Sequence, residues 1–167
     1  MTNVICYTDG SFNTPGETHG GVVFWNGNTF SSRIHVYSKN EKFVSMRNVG
    51  GEIIAAYCAI LSTASKIKEL NKESMDTYKL TLIYDYRGVG DWLTGAWRTN
   101  KKATAWYKHA VDKLLSEVPN LKLELVWIKG HGYSAGNNEA DRVAEYSMAY
   151  SKKNNIPICL VDELLDV

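Results

Sequence analysis

Several features that would assign a sequence to a class at first sight are missing from these 167 residues. The chain has no apolar run near the ~20 residues that a membrane-spanning helix requires. Its first residues are too few and too polar for a secretory signal, so we expect neither membrane insertion nor export. With 19 basic and 18 acidic residues the net charge is +1, which excludes a general basic surface for nucleic acid. Positive charge at any such site must be local or supplied by metal.

Cysteine is also scarce. Cys6, Cys58 and Cys159 cannot all pair with one another, and they lack the spacing of metal ligands. Cys6 and Cys58 lie within apolar patterns and are interpreted as small core residues. A reducing, cytoplasmic setting is the resulting expectation. The sequence shows no internal repeat, linker or low-complexity stretch, and its length suits a single domain.

The sequence pattern predicts a mixed α/β fold. Turn signals separate three short strands near the start, which are expected to form an antiparallel meander. Apolar residues at three- and four-residue steps then predict helices, and apolar runs predict two more strands. The predicted strands are 4–8, 20–25, 29–37, 79–84 and 121–127, and the predicted helices are 52–70, 88–94, 103–118 and 138–153. The expected sheet has five strands, three antiparallel and then two parallel, flanked by helices.

Four acidic residues stand where predicted strands and helices meet. Asp9 follows the first strand, Glu52 opens the first helix, Asp85 follows the fourth strand, and Asp141 lies in the last helix. Carboxylates gathered at the ends of buried strands repel one another unless a cation neutralises them, and Mg²⁺ is held by a few carboxylates plus substrate phosphate. Two such ions can stabilise both the attacking and the leaving oxygen of a phosphodiester cleavage. The four acids therefore predict a metal-dependent nuclease.

Each acid also has an ordinary structural interpretation. Asp9 suits a turn, and Glu52 suits a helix N-terminus, where the macrodipole favours a negative charge. Asp85 is placed to cap the following helix, and Asp141 is placed to pair with Arg142 or Lys152 on a solvated face. Taken singly, none of the four acids is assigned to metal binding by its own position.

The motifs around these acids together resemble those of type 1 ribonuclease H. In chain order they are Thr8-Asp9-Gly10-Ser11, Met46-Arg47-Asn48-Val49-Gly50-Gly51-Glu52, Tyr84-Asp85-Tyr86-Arg87-Gly88, Lys129-Gly130-His131-Gly132 and Ala140-Asp141. The similarity covers roughly residues 3–150. It is closest to a bacterial branch that often carries an N-terminal, viroplasmin-like hybrid-binding domain, which we expect to be absent here. The resemblance implies a ribonuclease H-like fold, with a catalytic domain over 1–153 and a C-terminal extension over 154–167.

The resemblance also implies roles for the acids and for one histidine. Asp9 would bridge two Mg²⁺ ions, Asp141 would complete the site of the ion that activates water, and Glu52 and Asp85 would hold the second ion. Mn²⁺ should substitute for Mg²⁺, because it favours similar oxygen ligands. His131, whose ordinary pKa suits proton transfer, would assist water activation or product departure as an auxiliary catalytic residue.

An RNA–DNA hybrid is the substrate that the resemblance implies, and the 2′-hydroxyl distinguishes its RNA strand. Asn48 matches a family position that contacts the hybrid beside the scissile phosphate. Asn13 and Asn137 equally suit a turn and a helix cap, and Arg47 departs from the Thr often found at its position. The predicted substrate-binding residues are Asn13, Arg47, Asn48, Lys101, Lys102, Lys129 and Asn137.

An aromatic and basic stretch, residues 92–106, lies where some family members carry a basic protrusion that grips the hybrid. The connection in this chain is short, so the protrusion is expected to be reduced or missing. Trp92 and Trp106 are interpreted as core residues, and Lys101 and Lys102 as sequence-independent phosphate contacts. We therefore expect modest affinity with a marked salt dependence.

The sequence thus predicts an endoribonuclease that hydrolyses the RNA strand of RNA–DNA hybrids and leaves 5′-phosphate and 3′-hydroxyl ends. One alternative is a DNA nuclease of the same fold, resembling a resolvase or integrase, because fold does not fix function. The other is a non-catalytic hybrid-binding module. A monomer is expected, and the apolar extension either packs on the domain, remains a loose acidic end, or docks a protein partner.

Overall fold

A mixed sheet forms the centre of the computed structural model, which describes residues 1–70, 76–129 and 134–165. Its strands are β1 Thr2–Ser11, β2 Thr18–Trp25, β3 Phe30–Ser38, β4 Tyr78–Tyr84, β5 Leu121–Trp127 and β6 Ile158–Leu160. Within the described residues these six strands have the spatial order β5-β4-β1-β2-β3-β6. β1, β2 and β3 are antiparallel neighbours, β4 is parallel to β1, and β5 is parallel to β4. The predicted mixed sheet is confirmed.

The C-terminal extension adds the strand that the sequence pattern did not predict. β6 pairs in parallel with β3, and Ile158 stands opposite His35. Val161 is fully buried after it. The carboxylate of Asp162 then accepts a hydrogen bond of 2.8 Å from the amide of Lys39. The prediction of five strands was one too few, because a three-residue strand is too short to show a periodic pattern and forms only where β3 offers an open edge.

Six α-helices in the described part of the chain flank the sheet. They are α1 Glu41–Val44, α2 Asn48–Leu70, α3 Gly88–Thr94, α4 Lys102–Glu117, α5 Ala135–Glu145 and α6 Met148–Lys153. The short α1 was not predicted, and α2 begins at Asn48 and not at Glu52. A 3₁₀ turn, Val161–Leu164, follows β6.

The predicted helix over 138–153 is two helices in the structure. Tyr146 has extended backbone angles, φ −60° and ψ 139°, which interrupt the helical hydrogen bonds after α5. The hydroxyl of Ser147 then accepts a hydrogen bond of 3.0 Å from the amide of Tyr150 and caps the start of α6. A serine inside a helical pattern is a helix N-cap as readily as a helix residue, and here it caps.

The core lies on both faces of the sheet. On one face α2 buries most of its length, and Cys6 and Cys58 are buried there as predicted. Trp92 is also buried on that face, which confirms its interpretation as a core residue. On the other face Val143 of α5 packs on Val23 of β2. In the part of the chain that the structure describes, no helix is long and apolar enough to cross a membrane.

A buried chain of polar side chains connects β2, β3 and α6. His19 Nδ1 lies 2.7 Å from His35 Nε2, and His19 Nε2 lies 2.9 Å from the carboxylate of Glu17. His35 Nδ1 lies 3.1 Å from the hydroxyl of Ser151. His35 and Ser151 are fully buried, and His19 is 7% exposed. We call these four residues the histidine chain.

Acid should destabilise the protein through His35. Burial and the neighbouring His19 lower the pKa of His35 from 6.5 to about 4. The unfolded chain therefore takes up this proton near pH 6.5, whereas the folded chain does so only near pH 4. Stability from this residue is fully present above the unfolded pKa and is lost as the pH falls through the folded pKa. We expect a loss on the order of 2 kcal/mol across this window.

Urea unfolding of the wild type and of His35→Gln between pH 4 and pH 7 measures this loss. The free energy of unfolding should depend less steeply on pH in the variant, because glutamine cannot take up the proton. Equal pH dependence in the two proteins would show that His35 is not the titrating group.

Candidate active site

Three of the four predicted acids meet at one end of the central strands. Asp9 lies near the end of β1, Asp85 directly follows β4, and Glu52 lies in the second turn of α2. One carboxylate oxygen from each lies within 4.8 Å of the other two. Asp141, on α5, lines the same open cleft of about 280 Å³. The cleft thus brings together all four acids that the sequence analysis proposed.

The sheet and two glycines explain this meeting. β1 and β4 are parallel neighbours, so their carboxyl ends lie at the same edge. α2 reaches that edge because its first turns touch the strands directly. A Cβ atom on Gly10 would lie 2.3 Å from the carbonyl oxygen of Asn48, and one on Gly51 would lie 2.0 Å from that of His19. Any larger residue at either glycine would push Glu52 away from Asp9.

The carboxylates are buried without enough donors to balance them. Asp9 and Glu52 are each 3% exposed. Asp9 Oδ2 and Glu52 Oε2 have no hydrogen-bond partner among the described residues. Burial raises the pKa of Asp9 to about 7, and the charge of Asp85 acts in the same direction. Burial, followed by the charge of Asp9, raises the pKa of Glu52 well above its ordinary value.

This donor set fits a hard divalent cation. Orphaned carboxylate oxygens in a buried cluster are the ligands that such ions take, whereas a cluster without a cation is left with mutual repulsion. The fit holds for Asp9, Glu52 and Asp85, whose oxygens are close enough together to share one ion.

Two further side chains hold Asp85. The indole Nε1 of Trp127, at the end of β5, donates a hydrogen bond of 3.0 Å to the carbonyl oxygen of Asp85. Asn137 is only 1% exposed, and its Nδ2 donates to the Asp85 carboxylate at 3.5 Å. The guanidinium of Arg87 lies over the Trp127 ring, 5.6 Å from its centre. Asn137, predicted to bind substrate, thus contacts a predicted metal ligand.

Sequence reasoning missed Tyr86 and Trp127. Tyr86 lines the cleft beside the acids. In the register of β4 and β5, Trp127 stands opposite Tyr84, and Tyr84 is the residue before Asp85. The sequence held a signal for Tyr86, which is adjacent to Asp85. The contact of Trp127 needed the strand register, because no local pattern brings it to Asp85.

The remaining predicted polar residues differ in their positions relative to the cleft. Asn48 lines the cleft. Arg47 precedes it with a left-handed φ of 55°, and its carbonyl accepts a hydrogen bond of 2.6 Å from the Thr18 hydroxyl. Asn13 is exposed in the turn after β1 and donates to Ser11.

The predicted basic residues do not line this cleft. Lys101 and Lys102 line a second cavity, of about 520 Å³, between the start of α4 and α1. Met46 lines that cavity too, two residues before Asn48 of the cleft. Lys129 is exposed after β5. His131 lies outside the described residues.

The fold and the acidic cluster together define a metal-dependent hydrolase. More particularly, the RNase H family model matches residues 1–149, and the chain belongs to the RNase H family. Ribonuclease H of Bartonella quintana is 30% identical over 155 residues, which cover 89% of this chain and 90% of that protein. Ribonuclease H of Rippkaea orientalis is 26% identical over 167 residues, covering 92% and 88%.

Solved structures share the fold. RNase H1 from the archaeon Halobacterium salinarum superposes with a TM-score of 0.61 at 20% identity, covering 85% of this chain and 94% of that one. LC11-RNase H1, solved in complex with an RNA/DNA hybrid, gives a TM-score of 0.64 at 17% identity, covering 89% and 99%. The predicted family, fold and enzyme class are confirmed, and with the family comes dependence on a divalent metal.

Proposed function

We propose that this chain is an endoribonuclease that hydrolyses the RNA strand of RNA–DNA hybrids. The observation that carries the proposal is the cluster of Asp9, Glu52 and Asp85 in a member of the RNase H family. One buried oxygen of Asp9 and one of Glu52 have no hydrogen-bond partner among the described residues. Cleavage by water leaves a 5′-phosphate and a 3′-hydroxyl. The 2′-hydroxyl is recognised and does not attack, so duplex DNA is not a substrate.

The cofactor that we propose is Mg²⁺, with two ions in each site and Mn²⁺ as a substitute. Asp9 and Asp141 would hold one ion, and Asp9, Glu52 and Asp85 the other. The chemistry that bound ions supply is a lower pKa of the attacking water and stabilisation of the leaving 3′ oxygen. The protein's own part is to hold the carboxylates in place, and Asn137 does so by donating a hydrogen bond to Asp85.

The substrate contacts that we propose lie around the mouth of the cleft. Asn48, at the exposed first turn of α2, is placed to read the RNA strand beside the carboxylates. Arg47, which precedes Asn48, and the exposed Asn13 and Lys129 are proposed as further contacts. His131 is assigned an auxiliary role in proton transfer or product release.

We also propose that the chain acts as a monomer in the cytoplasm. Its cysteines support this setting, because Cys6, Cys58 and Cys159 are all free thiols in the structure. Sedimentation analysis measures the oligomeric state, and a stable dimer at micromolar concentration would contradict the monomer.

Lys101 and Lys102 are expected to contact backbone phosphates from the second cavity. Replacing both with alanine should raise KM for the hybrid and leave kcat nearly unchanged. The slope of log KM against log salt should become shallower by about one to two. Steady-state cleavage at several salt concentrations measures both effects. A double variant of two exposed lysines elsewhere, Lys66→Ala with Lys122→Ala, is the charge-matched control. Equal salt slopes in the two variants would refute the assignment.

Cleavage assays with labelled RNA–DNA hybrid, duplex DNA and duplex RNA test the proposed function. Each substrate is incubated with Mg²⁺ or with EDTA. Metal-dependent cutting confined to the RNA strand of the hybrid is the expected result. Cutting of duplex DNA would instead indicate a DNA nuclease of the same fold, resembling a resolvase or integrase. Binding of the hybrid without cutting would indicate a non-catalytic binding module.

A further inference from the structure

The histidine chain has one direction of hydrogen bonding. An ionised Glu17 carboxylate only accepts, so His19 donates to it from Nε2 and keeps a lone pair on Nδ1. His35 then donates from Nε2 to that lone pair, and its own Nδ1 accepts from the hydroxyl of Ser151. Every polar atom of the two rings thereby has a partner. Loss of the terminal hydroxyl would leave Nδ1 of a fully buried ring unsatisfied.

One end of the histidine chain belongs to the C-terminal segment, residues 148–165. Ser151 lies on α6, and its carbonyl accepts a hydrogen bond of 2.9 Å from the amide of Ile156. The amide of His35 donates, also at 2.9 Å, to the carbonyl of Pro157, at the start of β6. His35 therefore holds this segment through both its side chain and its backbone.

The other end lies against the first turns of α2. The carbonyl oxygen of His19 lies against Gly51, the residue before Glu52, where it occupies the space that a Cβ atom would need. The hydroxyl of Thr18 donates to the carbonyl of Arg47, the residue before Asn48. Two consecutive residues of β2 thus fix the start of α2. The side chain of His19 is fixed in turn by Glu17 and His35, and its ring stacks on Tyr37 at 5.7 Å between centres.

We infer that Ser151, His35 and His19 are positioning residues for the reaction. Through them the C-terminal segment fixes the end of α2 that presents Asn48 to the substrate and Glu52 to the cluster. This role rests on the proposed function, and it gives the C-terminal segment, residues 148–165, a task within the protein. Asn48 lies at the exposed mouth of the cleft, whereas Glu52 is buried. A change in the histidine chain should therefore affect substrate binding more than the chemical step.

Ser151→Ala tests the inference by two independent readouts in the full-length protein. The first is amide hydrogen exchange over residues 46–52, where exchange should become about five-fold faster. The second is steady-state cleavage of the hybrid, where KM should rise about five-fold while kcat changes less than about two-fold. Exchange is measured without substrate, so it tests the positioning even if the proposed activity fails.

Thr63→Val is the matched control, since it removes another buried hydroxyl that bonds within α2, to the carbonyl of Ala59. It should leave exchange over 46–52 and KM unchanged. If Ser151→Ala does not fold, Glu17→Ala removes the acceptor at the half-buried end of the histidine chain without opening the core. Unchanged exchange over 46–52 and unchanged KM in the folded variant, or equal changes in Thr63→Val, would overturn the inference.

Discussion

Asp9→Asn should abolish cleavage of the hybrid and at the same time stabilise the metal-free protein. Asp9 interacts with each of the other three acids, and asparagine cannot supply the negative charge that a divalent cation needs. We expect kcat to fall by at least about 10³-fold, because loss of several kcal/mol of transition-state stabilisation costs ten-fold for each 1.4 kcal/mol.

The stability change has the opposite sign because the substitution removes repulsion. Asparagine keeps the Oδ1 that accepts the amide of Gly10 at 2.9 Å, so the turn is preserved. It removes a buried charge that faces Glu52, Asp85 and Asp141. The free energy of unfolding in EDTA at pH 8 should therefore rise, by about 1–2 kcal/mol.

Single-turnover cleavage and urea unfolding of the same protein samples measure the two effects. Asp112→Asn, at an exposed position on α4, is the control for the loss of one negative charge and should change neither. Cleavage within ten-fold of the wild type would remove Asp9 from the metal site. If the Asp9→Asn protein is less stable than the wild type in EDTA, repulsion among the carboxylates does not destabilise the metal-free protein.

Added Mg²⁺ should stabilise the wild type strongly at pH 8 and weakly at pH 5. The pKa of Asp9 is raised from 3.8 to about 7 in the folded protein. The stability that its proton gives the metal-free protein is fully present below the unfolded pKa and is lost as the pH rises through the folded pKa. Glu52 acts in the same direction. Asp9 is therefore mainly ionised and able to bind the cation at pH 8, whereas at pH 5 a proton occupies it.

Thermal unfolding with Mg²⁺ or EDTA at the two pH values measures this difference. An excess of Mg²⁺ over its Kd should raise Tm by about 5 °C at pH 8 and by about 1 °C or less at pH 5. Sodium chloride at equal ionic strength corrects for screening, and Asp9→Asn should lose the increase. A larger increase at pH 5 than at pH 8 would contradict the raised pKa.

Much of the fold was predictable because its signals are local. Alternating and three- to four-residue apolar patterns located five of the strands and the helices α2, α3 and α4 within a few residues. The failures are equally physical. β6 is three residues long, and α5 and α6 are separated by two extended residues, Tyr146 and Ser147. Neither feature has a period long enough to read from the sequence.

The active site was likewise predictable only where its signals are local. Asp9, Glu52, Asp85 and Asp141 were identified from motif order, and the structure places all four at one cleft. The contacts of Trp127 were not foreseen, because they depend on the register between β4 and β5.

The sequence by itself determined the order of β1 to β5 and of α2 to α4, the acids that the protein presents and its family, because local patterns and motifs carry this information. Only the tertiary structure decided how closely the acids approach, since that distance depends on the contacts of Gly10 and Gly51 between α2 and the sheet. It also decided that the C-terminal segment joins the sheet beside the histidine chain. Such contacts join residues far apart in the chain, and packing alone selects them.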